Sequence, residues 1–258
     1  MLAFDAKTAA LLNRCYLGAD FAHRRRVNFD AILPAPGDCI ADIGCGNGML
    51  TVDLSRAVGP DGHIFGIEPS PDMRSTAQSA LHGMDNVSVL DGTAEALPLD
   101  DASCDKAVSV QVLEYVPDLD AALREVERVL KPGGVVAVGD MHFGTFTWAS
   151  DDPARMNRML RAWDSHVAHV DLPASLPACM ARAGLTVETV RAVPMTDHLL
   201  RPDGMAAMLL ILMRNHAIRI SAMTEEEADA WQAEQQTRAA QDTFFFSLTH
   251  FVIVGRKP

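Results

Sequence analysis

The sequence has few basic residues, and this scarcity limits its partners. Its 258 residues include 22 lysines and arginines against 34 aspartates and glutamates, a formal net charge of −12. Such a chain repels phosphate backbones and anionic lipid surfaces unless a basic patch intervenes. The only basic cluster is His23 to Arg26, and arginines in a row on a helix are more often a solvated face. We therefore expect no nucleic-acid partner.

Long apolar stretches are also missing. The longest strongly apolar run, Met205 to Met213, is too short to cross a bilayer. Asp5 and Lys7 precede any apolar stretch near the N-terminus, which is not the charged-then-apolar order of a signal peptide. We expect a soluble, cytoplasmic protein without membrane insertion.

Cysteines and histidines show no metal-binding spacing. The five cysteines are odd in number and form no CxxC motif. His166 and His169 can share a helical face, but no third ligand has supporting spacing, so we interpret them as a solvated face. We expect no metal and reduced, buried, inert thiols.

Short apolar runs alternate with amphipathic segments from Cys39 onward. The runs have the length of buried strands: "CIADIG", "HIFGIE", "NVSVLD", "DKAVSVQ" and "VVAVGD". Before the last of these, Asp118 is placed to cap a helix that ends at "KPGG". Strands that alternate with helices at this spacing indicate βαβ units. The sequence therefore predicts an α/β fold with a doubly wound, mostly parallel sheet.

Residues 41 to 50, "ADIGCGNGML", place glycines 44, 46 and 48 in a turn after the first strand. In the dinucleotide fingerprint the third glycine comes five residues after the first, where Met49 stands here. Glycines let the backbone approach a ligand closely. Asp42, just before them, would repel a phosphate and attract an ammonium or a sulfonium.

Glu68 closes the second predicted strand, twenty residues after Gly48. A carboxylate there can accept hydrogen bonds from both hydroxyls of a ribose. NAD and adenosylmethionine both carry such a ribose. The turn and this acid therefore leave three alternatives open: NAD, an adenosyl cofactor, or a tight turn without a ligand.

Five segments carry a resemblance to a known family. In this order they are "ADIGCGNG", "GIEPSPDM", "GTAEALPLDDASCD", "SVQVLEYVPD" and "LREVERVLKPGGVVAVGD". They resemble the class I S-adenosylmethionine-dependent methyltransferases, in particular the ubiquinone- and menaquinone-biosynthesis-like small-molecule branch. The resemblance covers about residues 20–143, and the final "FVIVGRKP" is similar to that branch's terminus. It implies a seven-stranded Rossmann-like sheet, methyltransferase activity and S-adenosyl-L-methionine as the cofactor.

The resemblance also implies the residues that hold the cofactor. They are Asp42, Gly44, Cys45, Gly46, Gly48, Glu68, Pro69, Met73, Gly92, Thr93, Ala94, Gln111 and Val112, with Tyr16 and Arg25 from the N-terminal helices. Glu68 would hold the ribose, and Pro69 and Met73 would flank the adenine. Gln111 and Val112 would face the methyl group and the methionine tail.

The adenine contact departs from the family's pattern. An acidic residue of a "GDA" pattern commonly reaches the adenine amino group, whereas this chain has Gly92, Thr93 and Ala94 there. Thr93 can accept through its hydroxyl, or Asp91 shifts inward.

Methyl transfer from a sulfonium is an in-line displacement, so alignment and exclusion of water supply much of the acceleration. A general base is needed only if the acceptor loses a proton, and histidine suits neutral pH. His142 comes two residues after the fifth predicted strand, and Asp140 ends that strand. We predict both as catalytic. The plainer alternatives are a loop histidine in water and a loop-capping acid.

A methionine-rich helical region provides the substrate prediction. His198, Met205, Met208 and Leu209 are predicted to line a pocket. Thioethers suit an adaptable apolar pocket, although a methionine stripe is usually core. We expect a small hydrophobic or aromatic acceptor, and the sequence leaves a homodimer open.

One domain is predicted over residues 1–258. Within it, residues 1–36 form helices over 7–17 and 19–33, and residues 37–143 form the cofactor-binding core. Further helices and a sixth strand fill 144–200, a helical cap fills 201–243, and the last strand lies in 244–258. Inside the cap, Thr224 and Glu227 are predicted to form a capping box.

Three alternative functions compete with methylation of such an acceptor. An NAD-dependent oxidoreductase is disfavoured by the early third glycine and by Asp42. An adenosylmethionine-binding sensor without catalysis stays open because of Thr93. Arsenite methylation needs several thiolates around the metalloid, and no cysteine follows the fifth strand.

Overall fold

Helices and strands alternate along residues 14–258, which the computed structural model of the protein describes. The strands are β1 (Cys39–Ile43), β2 (His63–Ile67), β3 (Val87–Leu90), β4 (Cys104–Val110), β5 (Leu130–Trp148), β6 (Thr186–Asp197) and β7 (Phe246–Arg256). The helices are α1 (Ala19–Ile32), α2 (Met49–Val58), α3 (Pro71–Ala80), α4 (Leu119–Val129), α5 (Pro153–Asp164), α6 (Leu172–Arg182), α7 (Met205–Arg219) and α8 (Glu225–Ala240). A 3₁₀ turn, Leu113–Tyr115, follows β4. The helix predicted over 7–17 lies largely outside the described residues.

The seven strands form one sheet in the order β3-β2-β1-β4-β5-β7-β6. The pairs β1 with β2, β2 with β3, β1 with β4 and β4 with β5 are parallel. The N–H of Gly133 donates to the carbonyl of Lys257, and the N–H of Ala149 donates to the carbonyl of Phe245. The start of β5 therefore lies beside the end of β7, and the end of β5 lies beside the start of β7. Strand β7 is therefore antiparallel to β5. The predicted doubly wound, mostly parallel sheet is confirmed.

The described chain divides into two compact units. The sheet unit contains Arg25–Met141, Asp171–Val193 and His250–Pro258. The helical unit contains the described residues up to Arg24, together with His142–Val170 and Pro194–Thr249.

The sheet unit is closed on one face by α4. Asp118 caps this helix, since its carboxylate accepts from the backbone N–H of Ala121 at 2.9 Å, as predicted. Leu119, Leu123 and Val126 follow at helical spacing and are buried. Burying such a side chain contributes about 1.5–3 kcal/mol, so this stripe fixes α4 on the sheet.

The helical unit contains the methionine-rich region, which consists of two helices. Helix α8 begins at Thr224, whose hydroxyl accepts from the N–H of Glu227 at 3.1 Å, while the Glu227 carboxylate accepts from the N–H of Thr224 at 3.1 Å. The predicted capping box is therefore confirmed. The side chain of Trp231 packs against Trp148 of β5, with ring centroids 5.3 Å apart.

The predicted histidine face on α5 is wrong. Helix α5 ends at Asp164, so His166 and His169 follow the helix rather than share a face on it. The His166 ring stacks on Trp163 at 3.7 Å between centroids, and its Nδ1 bonds the Trp163 carbonyl. Burial lowers the pKa of His166 to about 4. This histidine is therefore neutral and packed against aromatic rings instead of solvated.

Arg128 joins α4 to the loop before β4. Its guanidinium donates to the carbonyls of Leu97 at 3.1 Å and Leu99 at 2.8 Å. It also bonds the carboxylates of Glu125 at 2.7 Å and Asp101 at 2.7 Å. Asp101 is exposed, so that ion pair contributes little. The two carbonyl bonds from a charged donor carry most of the stabilisation.

We expect Arg128→Met to lower the free energy of unfolding by about 2 kcal/mol, because these carbonyls lose a charged donor. Urea unfolding of the purified protein measures the change. Arg124→Met is the matched control, since Arg124 lies on the same helix and is exposed. Equal stability of the two variants would show that Arg128 does not hold the loop.

Candidate functional site

The glycine turn after β1 has a left-handed backbone at three positions. The φ angles are +70° at Gly44, +55° at Gly46 and +80° at Gly48, a region that glycine adopts without strain. The N–H groups of Gly44 and Cys45 both donate to the carbonyl of Ile67, at 2.8 and 3.1 Å. These bonds fasten the turn to the end of β2.

Neighbouring groups also crowd two of these glycines, Gly44 and Gly48. A Cβ atom at Gly44 would lie 2.3 Å from Cγ2 of Val112, closer than any real contact. At Gly48 it would lie 3.2 Å from Cα of Ala77 on α3. The backbone of the turn therefore packs directly against Val112, after β4, and against α3.

Glu68 lies beside this turn, at the end of β2. Its side chain is buried, and one carboxylate oxygen accepts from the N–H of Gly46 at 3.1 Å. The other oxygen accepts from the N–H of Ser70 at 2.9 Å. Each carboxylate oxygen has two lone pairs, so Glu68 can still accept from ligand hydroxyls.

Asp42 is a buried carboxylate at the end of β1, with 2% of its surface exposed. Thr51 of α2 donates its hydroxyl to this carboxylate at 2.6 Å. Burial raises the pKa of Asp42 to about 6, the Thr51 bond opposes the shift, and the charge of Glu68 adds to it. A cation placed near Asp42 would stabilise its ionised form.

The end of β4 is held to β5 by two contacts. Gln111 has φ +58° and donates its N–H to the carbonyl of Gly139 at 2.7 Å. Asp140 is buried and accepts from the N–H of Val112 at 3.1 Å. Asp140 therefore orders the backbone after β4, which is the loop-capping alternative. Its predicted catalytic role stays a prediction.

Glu114 is a buried acid that sequence reasoning missed. It lies in the 3₁₀ turn, is fully buried, and accepts from the N–H of Met141 at 3.2 Å. A charged residue inside the apolar run "VLEYV" was the available signal. Asp140 of β5 thus accepts from the backbone after β4, and Glu114 after β4 accepts from the backbone of β5.

His142 lies within a strand, not in a loop. Strand β5 continues to Trp148, so the prediction that His142 follows the fifth strand is wrong. Alternation continues through it, with Met141 and Phe143 buried and His142 half-buried. The hydroxyl of Thr145 donates to the carbonyl of His142 at 2.7 Å.

The two residues predicted from the N-terminal helices belong to different units. Arg25 is in the sheet unit, where it bonds Asp53 at 3.3 Å and the Met49 sulfur at 3.8 Å, both on α2. Arg25 therefore lies beside α2, the helix that directly follows the glycine turn. Tyr16 is in the helical unit, edge-on to Phe21 at 5.2 Å between ring centroids.

The residues predicted to flank the adenine, Pro69 and Met73, lie between the end of β2 and the first turn of α3. Pro69 is exposed, and the Ser70 hydroxyl caps α3 by accepting from the N–H of Met73 at 3.4 Å. Met73 is 42% exposed, so its side chain is available to a ligand.

In the segment after β3, the side chain of Asp91 is exposed to solvent. The Asp91 side chain is 72% exposed and bonds Arg74 at 2.8 Å. Gly92 leaves no room for a Cβ, which would lie 2.7 Å from Pro98. Thr93 is exposed, whereas Ala94 is buried in the core. Of the two alternatives for the adenine contact, this arrangement favours Thr93.

The residues of the predicted acceptor pocket lie in the helical unit. Met205, Met208 and Leu209 are buried on α7, at 2%, 7% and 4% exposure, and His198 is exposed. Burial on one helix fits both a core stripe and a pocket wall, so the pocket stays a prediction.

Burial also determines the state of the thiols. It raises the pKa of Cys15 to about 11 and also raises the pKa of Cys45. A hydrogen bond with Cys39, together with burial, raises the pKa of Cys104. These thiols are protonated at neutral pH, which disfavours capture of arsenite.

Among residues 14–258, no three histidine, cysteine or acidic side chains are placed to hold a metal ion. Nor is any helix in that range long and apolar enough to span a bilayer.

Residues 41–138 match the family model described as a methyltransferase domain. This match and the sheet order indicate a class I S-adenosylmethionine-dependent methyltransferase domain over that part of the chain. S-adenosyl-L-methionine is the cofactor of this class. The family therefore favours methyl transfer over the NAD-dependent alternative.

Two relatives and one solved structure illustrate the similarity. An uncharacterised 37.1 kDa protein of a Streptomyces fradiae transposon is 31% identical over 239 residues, covering 90% of this chain and 66% of that protein. Demethylmenaquinone methyltransferase of Staphylococcus aureus is 43% identical over 95 residues, 37% of this chain and 39% of that enzyme. The chain thus spans at most about two thirds of these relatives. The crystal structure of Bacillus subtilis YcgJ shares the fold, with TM-score 0.62 and 21% identity over 92% of this chain and 98% of YcgJ.

We expect Asp42→Asn to stabilise the protein at pH 7 by about 3 kcal/mol. The folded pKa of about 6 lies above the ordinary 3.8, so the folded state binds the proton more tightly. Wild-type stability therefore rises as the pH falls through 6 and levels off near 4. Urea unfolding from pH 4 to 7 measures this difference, which should shrink toward pH 4.

The exposed Asp61→Asn is the control for this prediction, and its stability should follow the wild type at every pH. A constant difference between Asp42→Asn and the wild type across the range would mean that Asp42 is not the titrating group.

Proposed function

We propose that this protein transfers the methyl group of S-adenosyl-L-methionine to an oxygen or carbon of a small hydrophobic or aromatic acceptor by in-line displacement. One observation carries the proposal: the Gly46 N–H donates to the Glu68 carboxylate at 3.1 Å. This bond sets a strand-end acid at the edge of a left-handed glycine turn. Both lie at the carboxyl ends of β1 and β2, next to the point where strand order reverses, where open α/β sheets bind ligands.

The chemistry of the donor set fits this cofactor. In the proposal Glu68 accepts from the ribose hydroxyls and Thr93 accepts from the adenine amino group. Asp42 provides a negative charge that attracts the cationic methionine end of the cofactor. A dinucleotide has phosphates instead of such a cationic end. When bound, S-adenosylmethionine supplies a methyl group activated by a positively charged sulfonium.

The contribution of the chain is alignment. Gln111 and Val112 are held by the Gly139 carbonyl and the Asp140 carboxylate, so the backbone after β4 has one conformation. Well-oriented reactants reach effective molarities of about 10⁵ M or more. A fixed backbone beside the reacting methyl group supplies this orientation.

The acceptor class follows from the apolar side chains and from one relative. The Staphylococcus aureus enzyme is named for demethylmenaquinone. In our proposal Met205, Met208 and Leu209 shape an acceptor pocket, with His198 at its rim, and the protein acts in the cytoplasm. His142 removes a proton when the acceptor is a hydroxyl, and Asp140 is the second residue that we propose as catalytic.

Glu68→Ala should weaken S-adenosylhomocysteine binding by about 2 kcal/mol, about thirtyfold, because charge-assisted hydrogen bonds are lost. Isothermal titration calorimetry measures the dissociation constant. Glu68→Gln should fall between this variant and the wild type, since an amide oxygen still accepts.

The exposed Asp72→Ala on α3 serves as the control, and NAD as the competing ligand. Wild type and control should bind S-adenosylhomocysteine alone. Saturable NAD binding would instead support the oxidoreductase alternative, and unchanged affinity in Glu68→Ala would remove Glu68 from the site.

His142→Ala should lower turnover about a hundredfold or more and leave S-adenosylhomocysteine affinity within twofold, because it removes a base and no cofactor contact. Product formation on a panel of phenols and quinols measures turnover. The exposed His82→Ala is the control. Full activity of His142→Ala would exclude its role as the base, and absence of product in the wild type would favour the sensor alternative.

A further inference from the structure

Arg74 makes three contacts around the proposed cofactor site that the function above does not use. It is the fourth residue of α3, and its Nη1 donates to the carbonyls of Glu68 and Pro69, each at 2.8 Å. The same nitrogen bonds the Asp91 carboxylate at 2.8 Å. One side chain thus joins the end of β2, the turn after it and the residue that follows β3.

A second set of bonds completes the arrangement. The backbone N–H of Arg74 donates to the Ser70 carbonyl at 2.9 Å, and the Ser70 N–H donates to the Glu68 carboxylate at 2.9 Å. The Arg74 side chain therefore holds the carbonyls of Glu68 and Pro69, and its backbone N–H holds Ser70 as in any helix. Holding the backbone of residues 68–70 in this way directs the Ser70 N–H at the Glu68 carboxylate.

The three contacts of Nη1 are unequal in strength. The Arg74 side chain is 19% exposed and the Asp91 side chain 72% exposed, so water screens their ion pair. The carbonyls of Glu68 and Pro69 accept from a charged donor, which gives stronger bonds than neutral donors do. Nη1 carries only two hydrogens, so these three oxygens share them. A lysine can supply the charge at this position without the planar guanidinium geometry.

We propose that Arg74 is a positioning residue for the nucleoside half of the cofactor. It fixes the Glu68 carboxylate for the ribose and holds Asp91 outward, which leaves Thr93 to contact the adenine. This inference rests on the proposed function, because it assigns Arg74 to the same site.

The test is calorimetric titration of the full-length protein with S-adenosylhomocysteine and with its inosine analogue, in which an oxo group replaces the adenine amino group. Arg74→Met should bind S-adenosylhomocysteine about tenfold or more weakly than the wild type. Arg74→Lys should recover part of this loss. Asp91→Asn should change affinity by no more than about threefold, since its ion pair is exposed.

The ratio of the two affinities separates positioning from a general loss of stability. Destabilised protein would bind both ligands less and keep the ratio. In Arg74→Met, by contrast, a released Asp91 can accept from the adenine amino group and repel the oxo group of the analogue, so the preference for adenine should rise while the mobile Glu68 weakens both ligands. Gln78→Met is the matched control, an exposed residue one turn along α3. It should keep the wild-type affinity and ratio.

The outcomes distinguish this inference from the proposed function. If the wild type binds neither ligand, the proposed function fails. If the wild type binds and Arg74→Met matches Gln78→Met in affinity and ratio, the role of Arg74 is wrong. If Arg74→Met does not fold, Arg74→Lys decides: a raised preference for adenine supports positioning, and a wild-type ratio with wild-type affinity overturns it.

Discussion

The hydrogen bond from the Gly46 N–H to the Glu68 carboxylate is the contact on which the site depends. It satisfies the backbone N–H of Gly46 in the strand-end turn, just as the Cys45 carbonyl satisfies the N–H of Gly48 at 2.9 Å. Gly44 and Cys45 donate their N–H groups to the Ile67 carbonyl. The turn is consequently rigid before any ligand arrives, and a preformed site costs less ordering entropy on binding.

The same device recurs along the carboxyl edge of the sheet. Asp140 accepts from the N–H of Val112, and Glu114 accepts from the N–H of Met141, so carboxylates bond backbone across neighbouring strand ends. Such acids are buried, and the N–H donors partly offset the cost of their desolvation. Burial raises the pKa of Asp42, and the hydrogen bond from the Thr51 hydroxyl does not offset that effect. Asp42 is the acid that gains most from a cationic ligand.

Much of this arrangement could be predicted from the sequence, because it follows from local pattern. Asp118 caps α4 as its place in the sequence predicts, and Glu68 stands at the predicted strand end. Arg74 could not be found this way, since a long side chain reaches partners seventeen residues away that only the folded sheet brings close. His142 was misplaced for another reason: the alternation of buried and exposed residues continues past Asp140, but the glycine in "MHFGTFTW" hides a strand signal.

The distribution of charge connects composition to site chemistry. A chain with net charge −12 that also buries Asp42 beside Glu68 concentrates negative potential where a ligand would bind. A dinucleotide would bring two phosphates to this place, and each would meet unfavourable potential. A sulfonium and an ammonium would meet a favourable one, and they would hold Asp42 ionised near pH 6, where half of it would otherwise be protonated. The buried carboxylate of Asp42 beside Glu68 favours a cation over a phosphate at this place, and this is a reason to prefer adenosylmethionine that is independent of family resemblance.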